Sequence, residues 1–138
     1  MHAEFGDFIV STDQQMLDVD FICSALSQTY WAQARPHELI RKSIPKSLCF
    51  GVYEKNTGKQ VGFARVVTDE ATFAWICDVV VDEGSRSKGL GKLLMSCVSE
   101  HPFVKGCNSI LGTRDAHGLY EKYGWKRAEM MRRLPSNP

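Results

Sequence analysis

The sequence predicts an α/β (α+β) fold in which about four helices flank a mixed, mostly antiparallel sheet of about six or seven strands. Three observations carry this. Residues 48–54, 60–68 and 72–81 are successive strand-like runs joined by short polar turns, so they run antiparallel. The third run is apolar on both sides, which places it centrally in the sheet. A helix and then a brief strand at 109–113 follow it, and a strand–helix–strand connection makes those two strands parallel through a right-handed crossover.

The elements follow in order. Residues 8–11 form a short first strand, and Ser11 or Thr12 is placed to cap what comes next. Leu17, Phe21, Ile22, Ala25 and Leu26 recur at helical spacing and predict a helix over about 18–28. Pro36 opens a second short helix through Leu39 and Ile40, and Pro45 ends it. The loop between these helices is aromatic and basic. Either Trp31 plugs the core there, or Tyr30, Trp31 and Arg35 line a pocket for an acceptor. Residues 48–54 and 60–68 make a hairpin about Asn56-Thr57-Gly58, with Gly51 and Gly62 marking bulges or close backbone approach. A helix over 89–100 buries Leu90, Leu93, Leu94, Cys97 and Val98, and Pro102 lies just past its end. Asp115 then caps a helix carrying Ala116, Leu119, Tyr120 and Tyr123, which Gly124 closes in the left-handed region. Residues 125–134 form a last extended segment and 135–138 a tail.

Length and charge bound the function. At 138 residues the chain is one domain by size, with room for a real core. A formal charge of +1 gives no global field for nucleic acid or a membrane surface, so neither partner is expected. Lys126, Arg127, Arg132 and Arg133 make the C-terminus basic, as a solvated edge or as help with a polyanion. The five cysteines are odd in number and lack C-x-x-C spacing, which reads as buried free thiols in a reducing compartment. His2, His37, His101 and His117 show no metal spacing, so no metal is expected. There is no signal-peptide pattern and no apolar run of about 18 residues. The expected location is cytoplasmic, as a monomer or homodimer.

Residues 78–98 organise the chain. The apolar strand ending in Val79, Val80 and Val81 passes through a polar turn into Arg86-Ser87-Lys88-Gly89-Leu90-Gly91, and then through Lys92 into a helix. The first amides of a helix lack intrahelical partners, and the helix dipole places partial positive charge there. Glycine at 89 and 91 removes side chains that would hold an anion away, while Arg86, Lys88 and Lys92 add charge. The turn is suited to a pyrophosphate. It is not a Walker A loop, because Leu93 follows Lys92, and not a dinucleotide fingerprint, because position 94 is Leu.

The R-x-x-G-x-G pattern at 86–91 resembles the acyl-CoA-binding motif of the GCN5-related N-acetyltransferases, the GNAT superfamily. A second match strengthens it. Residues 113–125 resemble the family segment N-x-x-A-x-x-x-Y-x-K-x-G-F, matched by Ala116, Tyr120, Lys122 and Gly124, with Trp125 as the aromatic and Thr113 in place of Asn. The resemblance covers residues 48–125. It implies a sheet whose strands at 73–81 and 109–113 splay apart to admit acetyl-CoA as cosubstrate, without a metal. Pantetheine amides would pair with the backbone of Val79, Val80 and Val81. The pyrophosphate would meet amides of Ser87, Lys88, Gly89, Leu90, Gly91 and Lys92, and Thr113 or Asp115 would take the place of the usual Asn.

The implied reaction is direct attack of an amine on the thioester, with the 79–81 backbone stabilising the oxyanion and Tyr120 protonating the departing thiolate. The acceptor is a small-molecule amine or a protein amine. Asp78, a carboxylate in an apolar run, is a candidate base or a structural hydrogen-bonding group. Glu54, Glu70, His117 or a water chain are alternatives. Trp75 and Phe73 wall the acceptor site or belong to the core. A non-catalytic acyl-CoA-binding regulatory module of the same fold is the competing reading.

Overall fold

The computed structural model describes residues 1–136, so the expected tail at 135–138 lies partly outside the described residues. Six strands form one sheet in chain order: β1 (His2–Phe5), β2 (Phe8–Ser11), β3 (Leu48–Glu54), β4 (Gln60–Thr68), β5 (Phe73–Val81) and β6 (Asn108–Leu111). Every neighbouring pair is antiparallel except β5–β6, which is parallel. The helices are α1 (Val19–Ser27), α2 (His37–Ser43), α3 (Leu90–Glu100), α4 (Pro102–Lys105) and α5 (His117–Glu121). The mixed sheet with flanking helices is the fold that the sequence predicts.

Alternation along the strands builds two cores. Phe50, Val52, Ala64, Val66, Ala74 and Ile76 face α3, meeting Leu90, Leu94, Met95 and Val98. Cys49, Phe63 and Val80 face α1 and α2, meeting Ile22, Leu26 and Ile40. A regular strand would place Ala74, Ile76 and Val80 on one side. They divide because β5 holds an extra residue: Phe63 pairs with Val80 but Arg65 with Cys77, so two steps on β4 match three on β5. Asp78 sits in this bulge at φ +53°, in the left-handed region that costs a non-glycine residue about 1–3 kcal/mol.

Several elements differ from expectation. β1 precedes the strand expected to be first, paired across a two-residue Gly6-Asp7 turn with Gly6 at φ +58°. Its residues are mostly exposed, so they carry no alternation to read. Neither Ser11 nor Thr12 caps α1. Asp18 does so, accepting from the Phe21 amide at 3.1 Å, and Asp13 caps an intervening 3-10 turn. Pro102 does more than follow a helix; it starts α4. Asp115 does not cap α5: Ala116 occupies the cap position and no side chain caps the helix, while the Thr113 hydroxyl accepts from the Ala116 amide at 3.0 Å in the loop before it. Residues 125–134 join no strand of the sheet; from Lys126 onward they are exposed and carry the charges that resist burial. Gly124 has the left-handed φ expected, at +88°. Gly51 is a close approach: a Cβ there would overlap the Tyr53 hydroxyl.

Candidate active site

The site begins where two parallel strands part. β6 pairs with β5 only from Phe73 to Ile76, and Leu111 opposite Ile76 is the last paired residue. β5 runs on to Val81 with no strand on that edge among the described residues. A cavity of about 790 Å³ occupies the gap. Its walls come from β4 through Arg65, β5 between Trp75 and Val79, the stretch at 111–116 with Tyr120 of α5, the α1–α2 loop through Tyr30, Trp31 and Arg35, and the C-terminal segment through Arg132 and Leu134.

The glycine turn lies beyond the end of β5. Arg86 folds back so that its Nε donates to the Val81 carbonyl at 3.3 Å. Ser87 and Gly89 both hold positive φ, +72° and +77°. Gly89 caps α3 with no side-chain hydrogen bond, and a Cβ added at Gly89 or Gly91 would meet no atom within 4 Å. Residues 86–89, Gly91 and Lys92 are exposed, while Leu90 is buried and anchors the turn to the core. A bare, anchored helix start of this kind presents amides and partial positive charge to solvent.

Asp78 is the electrostatic centre of the cavity wall, at 3% exposure. Its Oδ1 accepts from Trp31 Nε1 at 3.1 Å, and its Oδ2 accepts from Arg35 Nη1 at 2.8 Å and Arg65 Nε at 2.9 Å. Burial alone would push this carboxyl up. The hydrogen bonds and charges of Arg35 and Arg65 outweigh it and hold the group below the usual carboxylate range. Arg65 also donates from Nη1 to Ser47 Oγ at 3.1 Å. Tyr120 is half-buried; burial, with Tyr30 and Asp115 adding to it, pushes its phenol above the ordinary value. Tyr30 stacks edge-on against Trp31, accepts from the Arg114 amide at 3.2 Å, and carries the Arg114 guanidinium 3.8 Å above its ring.

The structure thus brings Tyr30, Trp31, Arg35, Trp75, Asp78, Val79, Thr113, Asp115 and Tyr120 to one cavity. Trp31 is 43% exposed and Trp75 45%, so neither is a core plug. Val80 turns its side chain into the core and Val81 lies outside the cavity lining. Glu54 binds Thr57 instead, and Glu70 borders a separate hollow, so neither reaches the gap. Phe73 and His117 are also outside the lining. No group of three or more His, Cys, Asp or Glu able to hold a metal occurs among the described residues. Sequence reasoning missed Arg65, Cys77, Arg114 and Arg132 in the lining. Arg65 had a readable signal, since a lone arginine inside the apolar run Val-Gly-Phe-Ala-Arg-Val-Val requires a partner.

Residues 45–127 match the family model for the acetyltransferase (GNAT) domain. The chain belongs to the GNAT family. Among solved GNAT relatives, a Xanthomonas campestris protein assigned to the family superposes with a TM-score of 0.85 at 42% identity, covering 94% of this chain and 95% of that one. A Gibberella zeae protein named as an acetyltransferase is 31% identical over 69% of this chain. A chloroplastic GCN5-related N-acetyltransferase of Arabidopsis thaliana is 43% identical over 53% of it. This chain spans 64% of the fungal relative's length and 38% of the plant one's. The GNAT match includes β3 to β6, α3 and α5, and so both the glycine turn and the strand gap.

Proposed function

We propose that this protein transfers an acetyl group from acetyl-CoA to a primary amine by direct attack on the thioester. One observation carries the reading: an uncapped, exposed glycine turn lies at the far end of a strand edge that borders an open cavity. A long, thin ligand with a diphosphate at one end and a reactive group at the other suits that arrangement. The amides and charges of Arg86 to Lys92 hold the pyrophosphate, through charge-assisted bonds that are about twice as strong as neutral ones. The unpaired β5 edge from Cys77 to Val81 receives the pantetheine amides.

At the cavity the acceptor amine attacks the carbonyl carbon. The new C–N bond forms, the C–S bond breaks, and the amine loses a proton to water. An amide of the bulged 79–81 backbone stabilises the oxyanion, a bulge being a device that re-aims backbone groups. Tyr120 gives its proton to the departing thiolate, and burial keeps the phenol protonated at neutral pH. Asp78 is poorly suited to the base role considered from sequence. Its lone pairs are engaged by three donors, and a carboxylate held below its usual range takes up protons weakly. We assign it instead to holding Trp31, Arg35 and Arg65 in place. The Cys77 thiol also borders the cavity, but burial pushes it to about 11, so it stays protonated and is no nucleophile. Thr113 Oγ1 accepts from the Ala116 amide and keeps its own O–H to donate, and Asp115 is exposed and open to a cosubstrate contact.

The test is thiol release from acetyl-CoA across a panel of amines. Amine-dependent release supports transfer. Binding of acetyl-CoA without release from any amine would instead indicate a non-catalytic binding module.

A further inference from the structure

The cavity walls carry an uncompensated charge. Four arginines (Arg35, Arg65, Arg114, Arg132) and two aspartates (Asp78, Asp115) line it. The imbalance is sharpest at Asp78, where one carboxylate oxygen accepts from two guanidiniums. One negative charge cannot neutralise two positive ones, so this wall keeps a net positive charge. Arg65 is the more enclosed partner at 13% side-chain exposure, and it spends a second nitrogen on Ser47. Arg35 is 28% exposed, lines the cavity, and among the described residues bonds through Nη1 alone. Its remaining donors form a planar fork suited to a carboxylate or phosphate. Phosphates of acetyl-CoA held at the glycine turn would not supply the missing charge, because none of residues 86–92 lines this cavity.

Size is constrained as well. Tyr30 and Arg114, joined by a hydrogen bond and by stacking, tie the α1–α2 loop to the loop after β6. The tie bridges two walls of a cavity of about 790 Å³, a volume within the range of small-molecule sites.

We propose that the acceptor is a small primary amine that also carries a carboxylate or phosphate, with that anion paired to Arg35 and assisted by Arg132 of the C-terminal segment. This rests on the acetyl-transfer reading above. A polycation would be repelled by the same wall, and an amine without an anionic group would leave the wall's excess positive charge uncompensated.

The experiment measures thiol release from acetyl-CoA with matched pairs: β-alanine against propylamine, and 2-aminoethyl phosphate against ethanolamine, with spermidine and a lysine peptide alongside. The expected result is a kcat/KM at least about tenfold higher for the anionic member of a pair, carried mainly by KM. Which pair shows the larger ratio tells carboxylate from phosphate. Arg35→Gln should erase the preference while acetyl-CoA affinity, read by calorimetry, stays within about twofold. Arg132→Gln, in the exposed C-terminal segment, should reduce the preference by a smaller factor, and it stands as the test if Arg35→Gln does not fold. Equal turnover of the neutral partners, or preference for spermidine or the peptide, with acetyl-CoA binding intact, overturns this inference and leaves acetyl transfer standing. Binding of acetyl-CoA with no turnover of any amine overturns both. Loss of acetyl-CoA binding by the wild-type protein strikes the transfer reading first.

Discussion

Replacing Asp78 by Asn keeps the shape of the side chain and removes its charge. The wild-type carboxylate accepts two charge-assisted bonds, at 2.8 and 2.9 Å, and one from an indole at 3.1 Å. Hydrogen bonds to charged groups contribute about 1.5–3 kcal/mol each and the neutral one about 1 kcal/mol, a ceiling of about 4–7 kcal/mol. Two effects lower the loss. Asn retains one acceptor oxygen, and Arg35 is exposed enough to recover hydration. Arg65 cannot recover as well, since 13% of its side chain reaches solvent. The net cost expected is about 3–5 kcal/mol, the range for breaking a buried pair from one side. Urea unfolding followed by Trp fluorescence measures it. The double variant Asp78→Asn with Arg65→Met should recover part of the loss, because it removes the stranded cation as well. A destabilisation below about 1 kcal/mol, or no recovery in the double variant, would refute the assignment of Asp78 as the holder of these arginines. Acid adds an independent check. The folded-state pKa is depressed, so the stabilisation is complete above the unfolded carboxylate value near 3.9 and disappears as pH falls through the lower folded value. Asp78→Asn should flatten that part of the stability–pH curve.

Three further outcomes follow from the same structure. Tyr120→Phe should lower kcat by about 10²-fold or more with little change in acetyl-CoA affinity, and a kcat within a factor of two of wild type removes Tyr120 from the acid role. Wild-type kcat should hold as pH rises through neutrality and fall only above the ordinary phenol range near 10, because burial raises this phenol; a fall beginning near pH 8 would point to a different acid. Leu94→Ala empties a fully buried position between α3 and the sheet and should cost about 2–5 kcal/mol in denaturant unfolding, with less than 1 kcal/mol counting against the packing described.

The legible parts of the chain were those whose signal is local. β3 and β4 fall on the residues that alternation and the Asn56-Thr57-Gly58 turn indicate. The start of α3 was readable because glycines, flanking charge and an apolar strand lie within a dozen residues. β1 was not, since an exposed edge strand has no buried face to impose a pattern. The cap expected of Asp115 does not form: α5 starts after Ala116 with no side-chain cap, and the nearby Thr113 hydroxyl accepts from the Ala116 amide in the preceding loop, a choice set only once the loop is folded. The Asp78 cluster shows the deeper limit. A carboxylate in an apolar run announces that it needs partners, but Arg65 is 13 residues away and Arg35 is 43 away, and only strand register and helix docking bring them together. The bulge that aims Asp78 is likewise a property of pairing between β4 and β5, invisible in either strand alone.

Titration calorimetry with acetyl-CoA on the wild-type protein, Gly89→Glu and Arg86→Glu tests the account at its root. Gly89 combines φ +77° with open space in front of the turn, so a glutamate there strains the backbone and places a negative charge where the diphosphate would rest. Saturable one-site binding by the wild type, weakened by at least about tenfold in each variant, is the predicted result. Binding that is absent in the wild type, or undiminished in both variants, would contradict the claim that this turn holds the cosubstrate.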